Sequence, residues 1–157
     1  MSRRRRATKR PTEPDPVYGS VVVTKFINRI MIGGKKATAR SILYGAIDLF
    51  AKRVKAENPL EAFEQAIENA KPLLEVKSRR VGGATYQVPI EIAPERRQGM
   101  AMKWLISFSR AKAGRPMTEA LAGELTDAFN LQGAAVKKKE DMHRMAEANK
   151  AFAHFKW

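Results

Sequence analysis

The hydrophobic periodicity of this chain changes register in one stretch only, and that change limits what it can fold into. Through residues 20–72, and again from residue 94 onward, apolar side chains return every three or four positions, the spacing of a helix with one greasy side. Between Pro72 and Pro94 they return every second position. Leu74 and Val76 alternate with Glu75 and Lys77; Tyr86, Val88, Ile90 and Ile92 alternate with Gln87, Pro89 and Glu91. Two alternating runs around Lys77-Ser78-Arg79-Arg80-Val81-Gly82-Gly83 read as a β-hairpin with a cationic tip. The expected class is mainly α: a single-domain bundle of about six helices, with one projecting hairpin arm at about residues 73–92, between helices three and four.

Strand pairing limits the turn. A two-residue loop at Gly82-Gly83 would set Val88 opposite Lys77 and Ile90 opposite Glu75, mixing the two faces. An odd loop of three or five residues pairs Val76 with Val88 or Ile90 instead. The alternation therefore predicts an odd loop with a glycine at positive φ. Pro89 has no N–H, so its strand must be an edge there. A lone two-stranded ribbon is marginal, so its base must rest on helices.

The helix signals follow in order. Ser20 can cap a first helix with Val23, Phe26, Ile27 and Ile30 inside, closed by Gly33-Gly34. A second carries Ile42, Leu43, Ala46, Ile47, Phe50 and Val54. Asn58, Pro59 and Glu61 give the third the clearest start in the chain, with Leu60, Phe63 and Ile67 as its stripe and Pro72 as its stop. Pro94 opens a fourth, with Met100 or Ala101, Trp104, Leu105 and Phe108 inside. Pro116 opens a fifth bearing Met117, Leu121, Leu125 and Phe129. Beyond Gly133 a sixth puts Ala135, Met142, Met145 and Phe152 on one side.

Charge narrows the function. Thirty Lys and Arg face 16 Asp and Glu, a net charge of +14. That excess calls for a polyanionic partner, nucleic acid before membrane. No apolar run reaches the roughly 20 residues of a spanning helix. Cysteine is absent, which removes disulfides, thiolate nucleophiles and Cys-ligated zinc. His143 and His154 share no metal-ligand spacing, and no acidic cluster suits catalytic magnesium. No cofactor, metal, small-molecule substrate or enzymatic activity is expected.

The cations gather. Arg3, Arg4, Arg5, Arg6, Lys9 and Arg10 precede the first acid and, with Pro11, Pro14 and Pro16, read as a flexible basic arm over residues 1–19. The helical domain then covers residues 20–157. Residues 77–115 hold nine Lys and Arg against two acids, while residues 57–68 and 119–127 hold seven of the acids and no base. One side of the domain should be basic and another acidic. At the hairpin tip Lys77, Arg79 and Arg80 can reach phosphate, and Gly82 and Gly83 let backbone approach closely. Tyr86 is the aromatic nearest that tip. Gly33-Gly34-Lys35-Lys36 is no phosphate loop: a helix precedes it, and Lys36 stands where Ser or Thr is required. As a turn whose lysines and N–H groups meet phosphate it stays plausible. Arg110 and Arg115, with Lys137, Lys138 and Arg144 near the C-terminus, complete the expected contact set.

Three stretches carry a family resemblance. The run Glu75-Val-Lys-Ser-Arg-Arg-Val-Gly-Gly-Ala-Thr-Tyr-Gln-Val-Pro-Ile-Glu91 resembles the signature of the small-subunit ribosomal protein numbered seven, in its bacterial form. So do Lys25-Phe-Ile-Asn-Arg-Ile-Met31 with Gly34-Lys-Lys36, and the tail from Ala135 to Trp157. The likeness spans nearly the whole chain and is loosest around residues 109–123. It implies a six-helix bundle with an extended hairpin, bound to the 3′ major domain of small-subunit ribosomal RNA, where the family nucleates head assembly. It implies a cytoplasmic place in the ribosome beside the exit-site tRNA and the messenger path, next to the eleventh small-subunit protein. It also implies possible repression of the family's own operon messenger. Carried over by position, the RNA contacts are the six arm cations, Lys35, Lys36, Lys77, Arg79, Arg80 and Arg97. The competing class is an architectural DNA-binding protein that uses a basic β-arm, with Val81 as a weak wedge.

Overall fold

The computed structural model describes residue 8 and residues 10–155. Within them six helices run in order: α1 (Val21–Ile30), α2 (Lys36–Val54), α3 (Pro59–Ala70), α4 (Pro94–Ala111), α5 (Met117–Phe129) and α6 (Gly133–Ala148). The hairpin, β1 (Leu74–Val81) and β2 (Ala84–Glu91), lies between α3 and α4, and a short 3-10 helix (Lys150–Phe155) follows α6.

The caps do what the sequence implies. The Ser20 hydroxyl accepts from the Val22 N–H at 3.2 Å and donates to Glu64 at 2.9 Å, so one side chain both starts α1 and ties it to α3. Asn58 accepts from the Leu60 and Glu61 N–H groups at 3.1 and 3.5 Å. Glu61 answers by accepting from the Asn58 side-chain amide at 2.8 Å, a variation on the capping box.

The core is built around α5, which packs on α2, α3, α4 and α6. Its small residues allow this: Ala120, Ala122 and Ala128 are fully buried beside Leu121 and Leu125. Gly45 of α2 meets it so closely that an added Cβ would sit 2.9 Å from the Thr118 methyl. Edge-on ring pairs join the helices, Phe26 with Phe63 at 5.3 Å and Phe50 with Phe129 at 6.0 Å between centroids. The expected inner faces of α1 and α3 are buried, apart from Leu60, which is half-buried. On α4 the deepest residues are Ala101, Met102, Leu105, Ile106 and Ser109, whereas Met100, Trp104 and Phe108 lie half-buried beside them. The helix has turned by about one position, because its buried stripe faces α5 and α6 as well as α1 and α3.

Two expectations fail. The hairpin turn is the two-residue loop: Val81 pairs Ala84, and Gly82 and Gly83 both have positive φ, 58° and 90°. Lys77 does stand opposite Val88, and Glu75 opposite Ile90. Mixed faces are tolerated because the polar members find partners. Glu75, 7% exposed, accepts from Arg96 at 2.7 Å and lies 3.3 Å from Lys77, while Arg79 donates to the Phe155 carbonyl. The Gly-Gly pair offers the left-handed backbone that a tight hairpin needs, and it overrides the simple hydrophobic count. The sixth helix is also shorter than its pattern. It ends at Ala148, Met145 is 48% exposed, and Phe152 belongs to the 3-10 helix packed on β2.

Candidate nucleic-acid interface

The polar side of α1 carries Lys25 and Arg29 four residues apart, so both project the same way. Exposed Lys103, Ser107 and Arg110 do likewise on α4. The two helices border adjoining clefts. One, about 600 Å³, runs from Arg10 past Lys25 and Asn28 to Arg29; the next, about 230 Å³, holds Arg29, Lys103, Ser107 and Arg110. Arg29 lies across α4 because residue 99 is glycine: an added Cβ would stand 2.9 Å from its Nη2. Arg110 also donates to the Ile30 carbonyl at 2.8 Å, where a cation suits the negative end of α1.

At the start of α2, Gly33 and Gly34 take positive φ, and Lys35 and Lys36 are exposed. No side chain caps this helix, so its positive end is open to an anion. A cleft of about 590 Å³ beside it is bordered by Arg10, Asn28, Lys36 and Arg40. The Arg40 Nε there is buried without a hydrogen-bond partner among the described residues. Asp15 also borders this cleft, inside the segment read as an arm, and is 3% exposed. It accepts from the Tyr44 hydroxyl at 2.8 Å and from the N–H groups of Val17 and Tyr18. Burial, then the bond to Asp15, pushes the Tyr44 phenol up to about 12.

The hairpin cations divide. Arg80 is exposed. Lys77 is drawn toward Glu75, and Arg79 is half-buried against the C-terminal 3-10 helix. Tyr86 is no open stacking platform: it packs on Phe155 and Phe152, at 4.8 and 5.3 Å between centroids. At the hairpin root His143 Nε2 accepts from the Leu73 N–H at 2.9 Å. Burial, and then Lys139 nearby, holds its imidazole below the usual histidine value.

The other expected contacts are scattered. Arg97 is half-buried and donates to the Ile92 carbonyl at 2.6 Å. Arg115, Lys137, Lys138 and Arg144 are exposed, whereas Lys139 is used internally, donating to the Asn69 carbonyl at 2.6 Å. Arg3, Arg4, Arg5, Arg6 and Lys9 lie outside the described residues. Lys25, Arg29, Arg40 and Lys103 are additions to the expected contact set. The spacing of Lys25 and Arg29 opposite the α1 apolar stripe was the available signal. The acids of residues 57–68 are all exposed, but those of 119–127 partly serve the fold: Glu124 is 1% exposed and paired with Lys112.

Among the described residues no helix is long and apolar enough to cross a membrane, and no cluster of three or more acids and histidines could hold a metal ion.

Residues 2–150 match the family described as ribosomal protein S7p/S5e. The chain is 70% identical to the small ribosomal subunit protein uS7 of Protochlamydia amoebophila (strain UWE25), over the full length of both. It is 64% identical, again over both full lengths, to the proteins of that name from Chlamydia trachomatis serovar L2 and Chlamydia muridarum. The chain belongs to the ribosomal protein S7p/S5e family, as a structural, RNA-binding, non-enzymatic protein of the small ribosomal subunit.

Proposed function

We propose that the protein binds the 3′ major domain of small-subunit ribosomal RNA and nucleates assembly of the subunit head there. Its hairpin then points toward the exit-site tRNA and the messenger path, beside the eleventh small-subunit protein. One observation carries this reading. Lys25 and Arg29 of α1, Lys36 at the start of α2, and Lys103 and Arg110 of α4 are all exposed around adjoining clefts, and Lys35 is exposed next to Lys36. A single basic helix would suit one groove of a duplex. Cations from three helices that are not collinear suit the converging backbones of a folded RNA junction, recognised by shape. The exposed Arg80 adds a separate contact at the end of the hairpin. A messenger folded to present the same junction would meet the same surface, and repression of the protein's own operon would follow from that competition.

The test is a titration of a 3′ major domain transcript at several salt concentrations. With ~6–10 phosphate contacts, affinity should fall by ~10³–10⁵ between about 50 and 200 mM salt. A flat response, or displacement by an equal mass of duplex DNA, overturns the proposal.

A further inference from the structure

We propose that Arg79 and Tyr86 form a nucleotide-binding subsite on the hairpin, which the C-terminal 3-10 helix occupies in place of RNA until RNA displaces it. The inference rests on the RNA-binding reading above and adds a subsite and its control. Arg79 and Tyr86 are directly paired across the strands, so both project from the same face. A guanidinium beside an aromatic ring offers what an unpaired nucleotide needs: a fork for a phosphate oxygen and a plane for a base.

Both offers are taken up by Phe155. Its ring lies against Tyr86, at 4.8 Å between centroids and 33° between planes, and its carbonyl oxygen accepts from the Arg79 guanidinium. One residue thus reproduces the ring contact of a base and the oxygen contact of a phosphate. Phe152 also packs on Tyr86, at 5.3 Å between centroids. The cover is lightly held. It follows the break at Asn149, spans six residues, and none of them is fully buried. A segment with so little buried surface opens at small cost. An aromatic clasp meant only to stiffen the hairpin would not need its last carbonyl on a cation of the arm that approaches RNA.

The experiment uses the full chain carrying Phe152→Leu and Phe155→Leu together, with a fluorescein-labelled ten-nucleotide oligoadenylate as probe. Anisotropy should show the uncovered variant binding roughly three- to tenfold tighter than wild type at equal salt, the scale of one lost aromatic contact. Adding Tyr86→Leu should erase the gain. Unchanged or weaker binding by the uncovered variant overturns the proposal, and so does a gain that survives Tyr86→Leu. If the paired substitution fails to give the wild-type helical circular-dichroism signal, Phe155→Leu alone replaces it, with about a twofold gain expected and no gain overturning the proposal. The wild type is titrated in parallel against the 3′ major domain transcript. Should it hold the transcript while the uncovered variant gains nothing, only the cover is wrong; should it hold neither RNA, the RNA-binding reading falls with it.

Discussion

Lys112→Met tests how one buried carboxylate joins three helices. Lys112 caps the end of α4, and its Nζ lies 2.9 Å from Glu124 Oε2 and 3.6 Å from Asp127 Oδ2. The other Glu124 oxygen accepts from the Ala135 N–H at 3.0 Å, in the first turn of α6. The Glu124 side chain is 1% exposed and that of Lys112 33%. Methionine keeps much of the apolar stem but removes the ammonium, leaving a buried carboxylate with a single hydrogen bond. Breaking a buried pair from one side costs about 3–5 kcal/mol; partial access of water through Lys112 brings the expected loss to about 2–3 kcal/mol. For a chain of this size that lowers Tm by roughly 5–10 °C. Urea unfolding should show the midpoint falling with its slope unchanged. Adding Glu124→Gln should recover about half of the loss, because the amide oxygen can still accept from Ala135 while the stranded charge is gone. A loss under about 0.5 kcal/mol, or a double variant no better than Lys112→Met, refutes the reasoning.

Three other perturbations separate fold from binding. Gly99→Ala, in the interior of α4, should raise stability by up to about 1 kcal/mol while weakening RNA binding on the order of threefold, because the new methyl pushes Arg29 aside; thermal melts and transcript titrations read the opposite signs. Tyr44→Phe removes a donor to buried Asp15 and should be less stable than wild type at pH 8. The folded phenol holds its proton to about 12, so the unfolded chain ionises first, near the ordinary value of 10. Wild-type stability therefore falls as pH rises through that window, and denaturation at pH 8 and 11.5 should show the gap between the two proteins closing. Arg80→Ala should leave stability within about 0.5 kcal/mol of wild type and lower the salt slope of RNA binding by ~0.7–0.9, the share of one phosphate contact.

What the sequence disclosed depended on whether a signal was local. The helix starts at Ser20 and Asn58 and the stripe Val23, Phe26, Ile27 and Ile30 are short-range patterns, and the structure keeps them. The hairpin register pitted two local signals against each other. The alternation asked for an odd loop, while Gly82-Gly83 asked for a tight one, and the backbone preference won because distant groups satisfied the misplaced charges. Those groups, Arg96 for Glu75 and the Phe155 carbonyl for Arg79, lie 21 and 76 residues away, beyond any window of sequence. Buried Glu124 was hidden for the same reason: it looks like one more acid on a polar face until Lys112 and the Ala135 N–H are placed beside it.

The same long-range contacts alter what a net charge of +14 means for binding. Lys112 and Arg96 lie against carboxylates, so they cancel charge and add little to the field that RNA meets. Arg97 and Lys139 donate to neutral carbonyls. They hold the fold in place yet keep their full charge, and so contribute to long-range attraction without being free to grip. Lys35, Lys36, Arg80, Arg115, Lys137, Lys138 and Arg144 are exposed, and their side chains have no hydrogen-bond or ion-pair partner among the described residues. Attraction at a distance governs how fast RNA is found, whereas close charge-assisted bonds govern how long it is held. The carbonyl-bound cations therefore belong mainly to the first task and the unpartnered ones to the second.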